Sequence, residues 1–106
     1  MRVLFDQGTP VPLRHALTGH VVSTAFEMGW SEMANGDLLN AAEAAFDVLI
    51  TTDQNLRHQQ NLKGRRLRIL VLPTTSWPLI QPHVAEVVAA LDELLAGTLL
   101  ELRFSK

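Results

Sequence analysis

Short apolar runs alternate along this chain with stretches of helical periodicity, and nearly every run is halted by an acid, a proline or a turn. The runs are Val3-Leu4-Phe5, residues 20–24, residues 48–52, residues 67–72 and residues 98–104. Runs of this length are strand-sized, and strands separated by helices cross over a sheet face to start again from the same end. The pattern predicts an α/β domain of three layers, with a central, mostly parallel sheet of four to five strands flanked by helices.

The punctuation between the runs places the helices. Thr9 caps a first helix with Pro10 at its first position and Pro12 still in the tolerant first turn; Leu13, Ala16 and Leu17 form its apolar stripe, and Gly19 ends it. Asp37 opens a second helix, in which Leu38, Leu39, Ala42, Ala45 and Phe46 recur at helical spacing. A third follows Asp53 to about Asn61, before Lys63-Gly64 turns the chain. The cleanest amphipathic pattern is Val84, Val87, Val88, Leu91, Leu94 and Leu95, ending at Gly97. Residues 25–36 are the least regular part. Residues 73–80 carry no charge and are a candidate homodimer or partner surface.

At 106 residues, 47% of them hydrophobic, the chain is read as one domain, 1–106, able to bury a core. Cysteine is absent, which excludes disulfides and thiolate chemistry and points to a reducing, cytoplasmic setting. Met1-Arg2-Val3-Leu4-Phe5-Asp6 meets an acid too early for a signal-peptide core, and no apolar run approaches the roughly 18 residues needed to span a membrane. The net charge of −2 conceals an asymmetry. Arg57, Lys63, Arg65, Arg66 and Arg68 lie together with His58 and no acid, leaving four basic residues against all eleven acids elsewhere. Such a stretch suits either a solvated surface or a phosphate backbone.

Asp6 and Asp53 each follow an apolar strand, where parallel sheets bind their ligands. If those strands are neighbours, both carboxylates emerge at one rim, repel each other, and are reconciled by a divalent cation such as Mg²⁺ or Mn²⁺. Asp37, at a helix start, is a candidate third carboxylate. Each acid also has a plain structural role open to it: Asp37 and Asp53 as helix caps, Asp6 as a turn residue. Asp47 reads as a turn residue and Glu43 as solvent-facing.

The order and spacing of four pieces resemble the PIN-like nuclease superfold. They are Val3-Leu4-Phe5-Asp6-Gln7-Gly8-Thr9-Pro10, Gly19-His20-Val21-Val22, Asp37-Leu38-Leu39 and Val48-Leu49-Ile50-Thr51-Thr52-Asp53. More closely, they resemble a compact family of bacterial PIN-like proteins of uncharacterised function, often taken for toxin components of toxin–antitoxin pairs. The resemblance covers about residues 1 to 103. It implies that Asp6, Asp37 and Asp53 hold Mg²⁺ or Mn²⁺, which activates water for attack on an RNA phosphodiester. It also implies that Thr51 or Thr52 bonds water or phosphate, that Asn55 lies at the substrate, and that Arg57, His58, Lys63, Arg65 and Arg66 position the RNA backbone. An antitoxin-like protein is the implied partner. Two departures matter. Gln7 stands where the family often carries Glu, and Asn55 where it often carries a second Asp. Both remove a charge, which favours one metal over two and leaves open a catalytically weak or inactive module that only binds nucleic acid or protein.

A receiver-like phosphoacceptor domain also places acids after strands one and three. It needs a second acid where Gln7 stands, and a lysine after the fifth strand, for which Lys106 is the nearest candidate. His15, His20, His58 and His83 make no metal-spaced pair, and no glycine-rich phosphate loop is present. Trp30 and Trp77 are expected in loops, to stack on bases, anchor a partner or cover the core edge.

Overall fold

The computed structural model describes residues 1–58 and 62–105. Five strands form one sheet: β1 Arg2–Phe5, β2 Val21–Thr24, β3 Val48–Thr51, β4 Arg68–Val71 and β5 Leu99–Glu101. Their spatial order is β2-β1-β3-β4-β5, and every neighbouring pair is parallel. The helices are α1 Asn35–Ala45, α2 Trp77–Ile80 and α3 Val84–Glu93, with 3-10 segments at Val11–Ala16, Leu56–His58 and Gln81–His83. The expected α/β layering with a parallel sheet is therefore present, with a sheet wholly parallel among the described residues.

Each central strand splits its side chains between two cores, as the period of two requires. Val3, Phe5, Val48, Ile50, Leu70 and Leu72 face one side, where they meet Leu13, Ile80 and the α3 residues Val87 and Leu91. Leu4, Leu49, Ile69 and Val71 face the other, against Leu38, Leu39 and Ala42 of α1 and Leu56. Burial on both faces explains why β3 is an unbroken Val-Leu-Ile-Thr run rather than an alternating one.

The cores also fix the hand of each connection. The chain steps from β1 to β2 on the α3 face, then reverses and steps β2-β3-β4 across the α1 face. Those three crossovers share one hand. The last, β4 to β5, continues in the same direction but passes over the opposite face, so its hand is reversed. Right-handed crossovers are the overwhelming rule. The order β2-β1-β3-β4-β5 matches that of doubly wound domains, but the position of α3 does not.

Local differences from the expected elements have local causes. The first helix is a 3-10 segment with Pro10 before it and Pro12 inside it; it buries only Leu13 of its six residues. The segment after Asp53 is a single 3-10 turn through His58, and its expected continuation to Asn61 lies outside the described residues. Trp77 begins α2 rather than sitting in a loop; it packs on the α3-side core with Ile80, and only Leu79 and Pro78 of that helix are exposed. Trp30 does lie in a loop, edge-on to Phe46 at 6.1 Å. Gly97 has φ +77°, and a Cβ there would meet the Arg65 carbonyl at 2.9 Å, so glycine suits this turn into β5 on both counts.

Candidate functional site

In a wholly parallel sheet all carboxyl ends of strands share one rim, and here the chain reverses direction between β1 and β3. Asp6 follows β1 and Asp53 lies two residues past β3, so both acids sit at that reversal. Open sheets of this type bind ligands at such a point. The Asp6 N–H donates to the Ile50 carbonyl at 3.1 Å, tying the end of one strand to the other.

Two threonines hold Asp6. The Thr51 hydroxyl donates to Asp6 Oδ2, and Thr51 Oγ1 in turn accepts the Asp53 N–H at 3.1 Å. Thr51 is 2% exposed, so one buried hydroxyl links both acidic residues. On the other side the Thr9 hydroxyl lies 2.7 Å from Asp6 Oδ1 and 2.9 Å from the Ile50 carbonyl. Both neighbours are acceptors, so its single proton is shared between them. Asp53 is held differently. Its Oδ1 accepts the Asn55 N–H at 2.9 Å, a turn that leads into the Leu56–His58 segment. Its Oδ2 accepts from Asn35 Nδ2 at 3.1 Å, from the first turn of α1. Gln54 Nε2 fastens the same loop to the Leu72 carbonyl at 2.6 Å.

Gly8 completes the shelf. A Cβ there would overlap Thr52 Oγ1, so the first rim loop passes against the second only because residue 8 has no side chain. The Thr52 hydroxyl has no hydrogen-bond partner among the described residues, and Gln7, Gln54 and Asn55 around it are exposed.

The residues expected at the site divide into those this rim gathers and those it does not. Asp6, Thr51, Thr52, Asp53 and Asn55 are together. Thr51 is buried with its proton donated to Asp6, so it positions carboxylates and has no proton for phosphate. Asp37 is exposed in the first turn of α1, where the helix dipole favours an acid. Among the described residues no group of three or more His, Asp or Glu that could hold a metal ion is present. Arg57 belongs to the carboxyl rim, paired with Glu101 at the end of β5 at 2.8 Å, with His58 Nε2 3.4 Å from its Nε. Arg65 and Arg66 do not. Arg68 begins β4 in register with Val48, and the residues before it lie at the opposite, amino rim. There Arg65 bonds Asn40 at 2.8 Å and pairs with Glu43 at 3.2 Å. Arg66 and Arg68 line a cleft of about 270 Å³ with Glu43, Phe46 and Asp47. Lys63 is exposed in the turn between the two ends. The expected continuous basic surface is thus divided between the two rims by about the length of a strand, roughly 10 Å.

Thr9, Asn35 and Gln54 are site residues that no motif in the sequence marks as such. Asn35 read as a turn signal, though its place at the start of a helix that leaves this rim was available as a clue. The loop after β2 also carries exposed apolar side chains, Phe26 (79% exposed), Met28 and Met33.

Two glutamates outside the Asp6–Asp53 cluster titrate below the usual carboxylate range. Glu27 is held below the usual range by the Arg14 guanidinium and then by the Thr24 N–H. Glu86 is held below it by the Ser105 N–H and then by His83. Both anchor chain segments rather than site groups.

Comparison with family models, with curated proteins and with solved structures finds no match to this chain. Among the described residues no helix is long and apolar enough to cross a membrane.

Proposed function

We propose that this chain hydrolyses RNA phosphodiesters with a Mg²⁺ or Mn²⁺ ion held by Asp6 and Asp53. The observation that carries the reading is the Thr51 hydroxyl, bonded to both acidic residues at the point where the sheet reverses direction. The donor chemistry fits. Each carboxylate oxygen at the site accepts one hydrogen bond from the protein and has capacity for about one more. Mg²⁺ is commonly held by one or two carboxylates, with water and substrate phosphate filling the rest of its shell. When bound, the ion would offset negative charge and lower the pKa of a water, so that hydroxide for attack on phosphorus forms near neutral pH. The protein's part is orientation: Thr9 and Thr51 set the Asp6 carboxylate, Asn35 and Asn55 set that of Asp53. Thr52 offers a free hydroxyl to a phosphate oxygen, and Arg57 with His58 supplies positive charge at the same rim. Phe26 offers an aromatic face on which a splayed base could stack. An antitoxin-like protein that covers this rim belongs to the same reading.

The test is cleavage of a single-stranded RNA in Mn²⁺ by the wild type, Asp6→Asn and Asp53→Asn. The expected result is cleavage by the wild type alone; equal cleavage by all three identifies a contaminant and removes the proposal.

One observation favours a second reading, a module that binds RNA without cutting it. Every oxygen of the two acids already has a protein donor, and Gln7 and Asn55 add no charge. Salt-sensitive RNA binding with no cleavage in any metal would select it. A phosphoacceptor role at Asp53 has less support: α3 lies on the wrong face for a doubly wound domain, and Gln7 stands where that role needs a second acid.

A further inference from the structure

We propose that a second copy of this chain adds to the sheet at β5, antiparallel across a two-fold axis at Leu102. The sheet ends at β5, whose outer edge carries no partner strand among the described residues. Pairing with β4 continues one residue past the strand, through the Leu102 N–H to the Val71 carbonyl at 2.8 Å. The Thr98 carbonyl and the Leu102 N–H both point to β4, so by alternation the backbone groups of residues 99, 101 and 103 point outward.

That alternation limits how two copies can pair. Outward-facing residues must lie opposite each other to exchange N–H and C=O bonds, which permits only a few registers. One places Glu101 against Glu101 and another Arg103 against Arg103, both destabilising. The register between them sets Glu101 of each copy opposite Arg103 of the other. The segment Leu100-Glu101-Leu102-Arg103-Phe104 then complements itself: apolar against apolar on the α3 side, acid against base on the other. Arg103 is exposed and has no ion-pair partner among the described residues, whereas Glu101 already holds Arg57 and would bridge it to the second copy's arginine.

The surface beside this edge is also apolar. A cleft of about 300 Å³ lies along β5, lined by Ala90, Leu94, Leu95, Leu99 and Leu100. Leu95 is 70% and Leu100 39% exposed. In the proposed register Phe104 of the second copy stands opposite Leu100 at a close, non-hydrogen-bonded position, on the face that opens into this cleft. The homodimer surface expected at residues 73–80 is a poorer candidate, since Trp77 and Ile80 face inward.

The test is sedimentation equilibrium of the full chain from micromolar to submillimolar concentration. The wild type is expected to dimerise in that range. Arg103→Glu, at an exposed position, turns two attractive cross-pairs repulsive and should raise the dissociation constant about tenfold. Inverting the whole network, with Arg57→Glu, Glu101→Arg and Arg103→Glu together, should bring it back to within about threefold of wild type, in the same arithmetic. Arg103→Pro removes an outward N–H together with the guanidinium, neither of which has a partner among the described residues of the monomer, so it should weaken the dimer at least as much as Arg103→Glu while leaving the monomer's circular dichroism unchanged. A wild type that stays monomeric throughout overturns the proposal and leaves the edge to a strand of another protein. So does an Arg103→Glu variant that dimerises as well as wild type, or an inverted network that fails to recover.

Discussion

Replacing Thr51 by valine keeps the shape of the side chain and removes only its hydroxyl. That hydroxyl donates to Asp6 Oδ2 and accepts the Asp53 N–H, in a side chain 2% exposed. A hydrogen bond to a charged group contributes roughly 1.5–3 kcal/mol, and a buried donor left unsatisfied costs about 1–3 kcal/mol. Asp6 and Asp53 are only half-buried, so water recovers part of both losses, and a total of about 2–3 kcal/mol is expected. Thr51→Ser keeps the hydroxyl and loses one methyl, a cost of about 1 kcal/mol. Urea denaturation of the two variants decides the matter: valine should be the less stable by about 1–2 kcal/mol, with Tm lower by roughly 4–10 °C for a domain of this size. β-propensity runs the other way, since valine is the better strand residue. A Thr51→Val protein as stable as Thr51→Ser, or more so, would refute the claim that this hydroxyl ties the two acids together.

Gly8→Ala forces Cβ against Thr52 Oγ1 and should cost about 1–3 kcal/mol in a denaturation curve, whereas Gly8→Ala in a Thr52→Ala background should recover most of it. Leu91→Ala, in the fully buried contact between α3 and the sheet, should cost about 2–5 kcal/mol by the same measurement. Glu86 sits below its usual 4.5 because the Ser105 N–H and His83 favour its charged form. Its contribution is therefore complete above that value and is lost as pH falls through the lowered one. Thermal melts should show Glu86→Gln less stable than wild type at pH 7, with the gap closing in acid. Arg57→Ala should weaken RNA binding and reduce its salt dependence, while Arg66→Ala at the far rim should do neither in a filter-binding titration.

The alternation of strand and helix was legible because each strand is a concentrated apolar run with an abrupt stop. The runs before Asp6 and Asp53 lack polar alternation, as strands of a parallel sheet covered on both faces do. The convergence of those two residues needed one thing more, that β1 and β3 be neighbours, which only the topology supplies. The face chosen by α3 was not legible: its stripe of Val87, Leu91 and Leu94 fits either side, and competition between two half-filled cores decides it. The basic stretch shows a different failure. Residues 57–68 are contiguous in sequence, but a parallel strand beginning at Arg68 starts at the amino rim, so the chain must travel the height of the sheet between Arg57 and Arg65. That inference needed only the parallel topology already in hand. Thr9 and Asn35 were hidden for another reason: a polar residue beside a cap or turn looks the same whether it serves the backbone or a carboxylate across the sheet.

The most direct measurement is anomalous diffraction at the manganese edge from a crystal soaked in Mn²⁺. One peak is expected at the carboxyl rim, within coordination distance of both Asp6 and Asp53, and lost in Asp6→Asn. No peak at that rim, or one held by other residues, would contradict it.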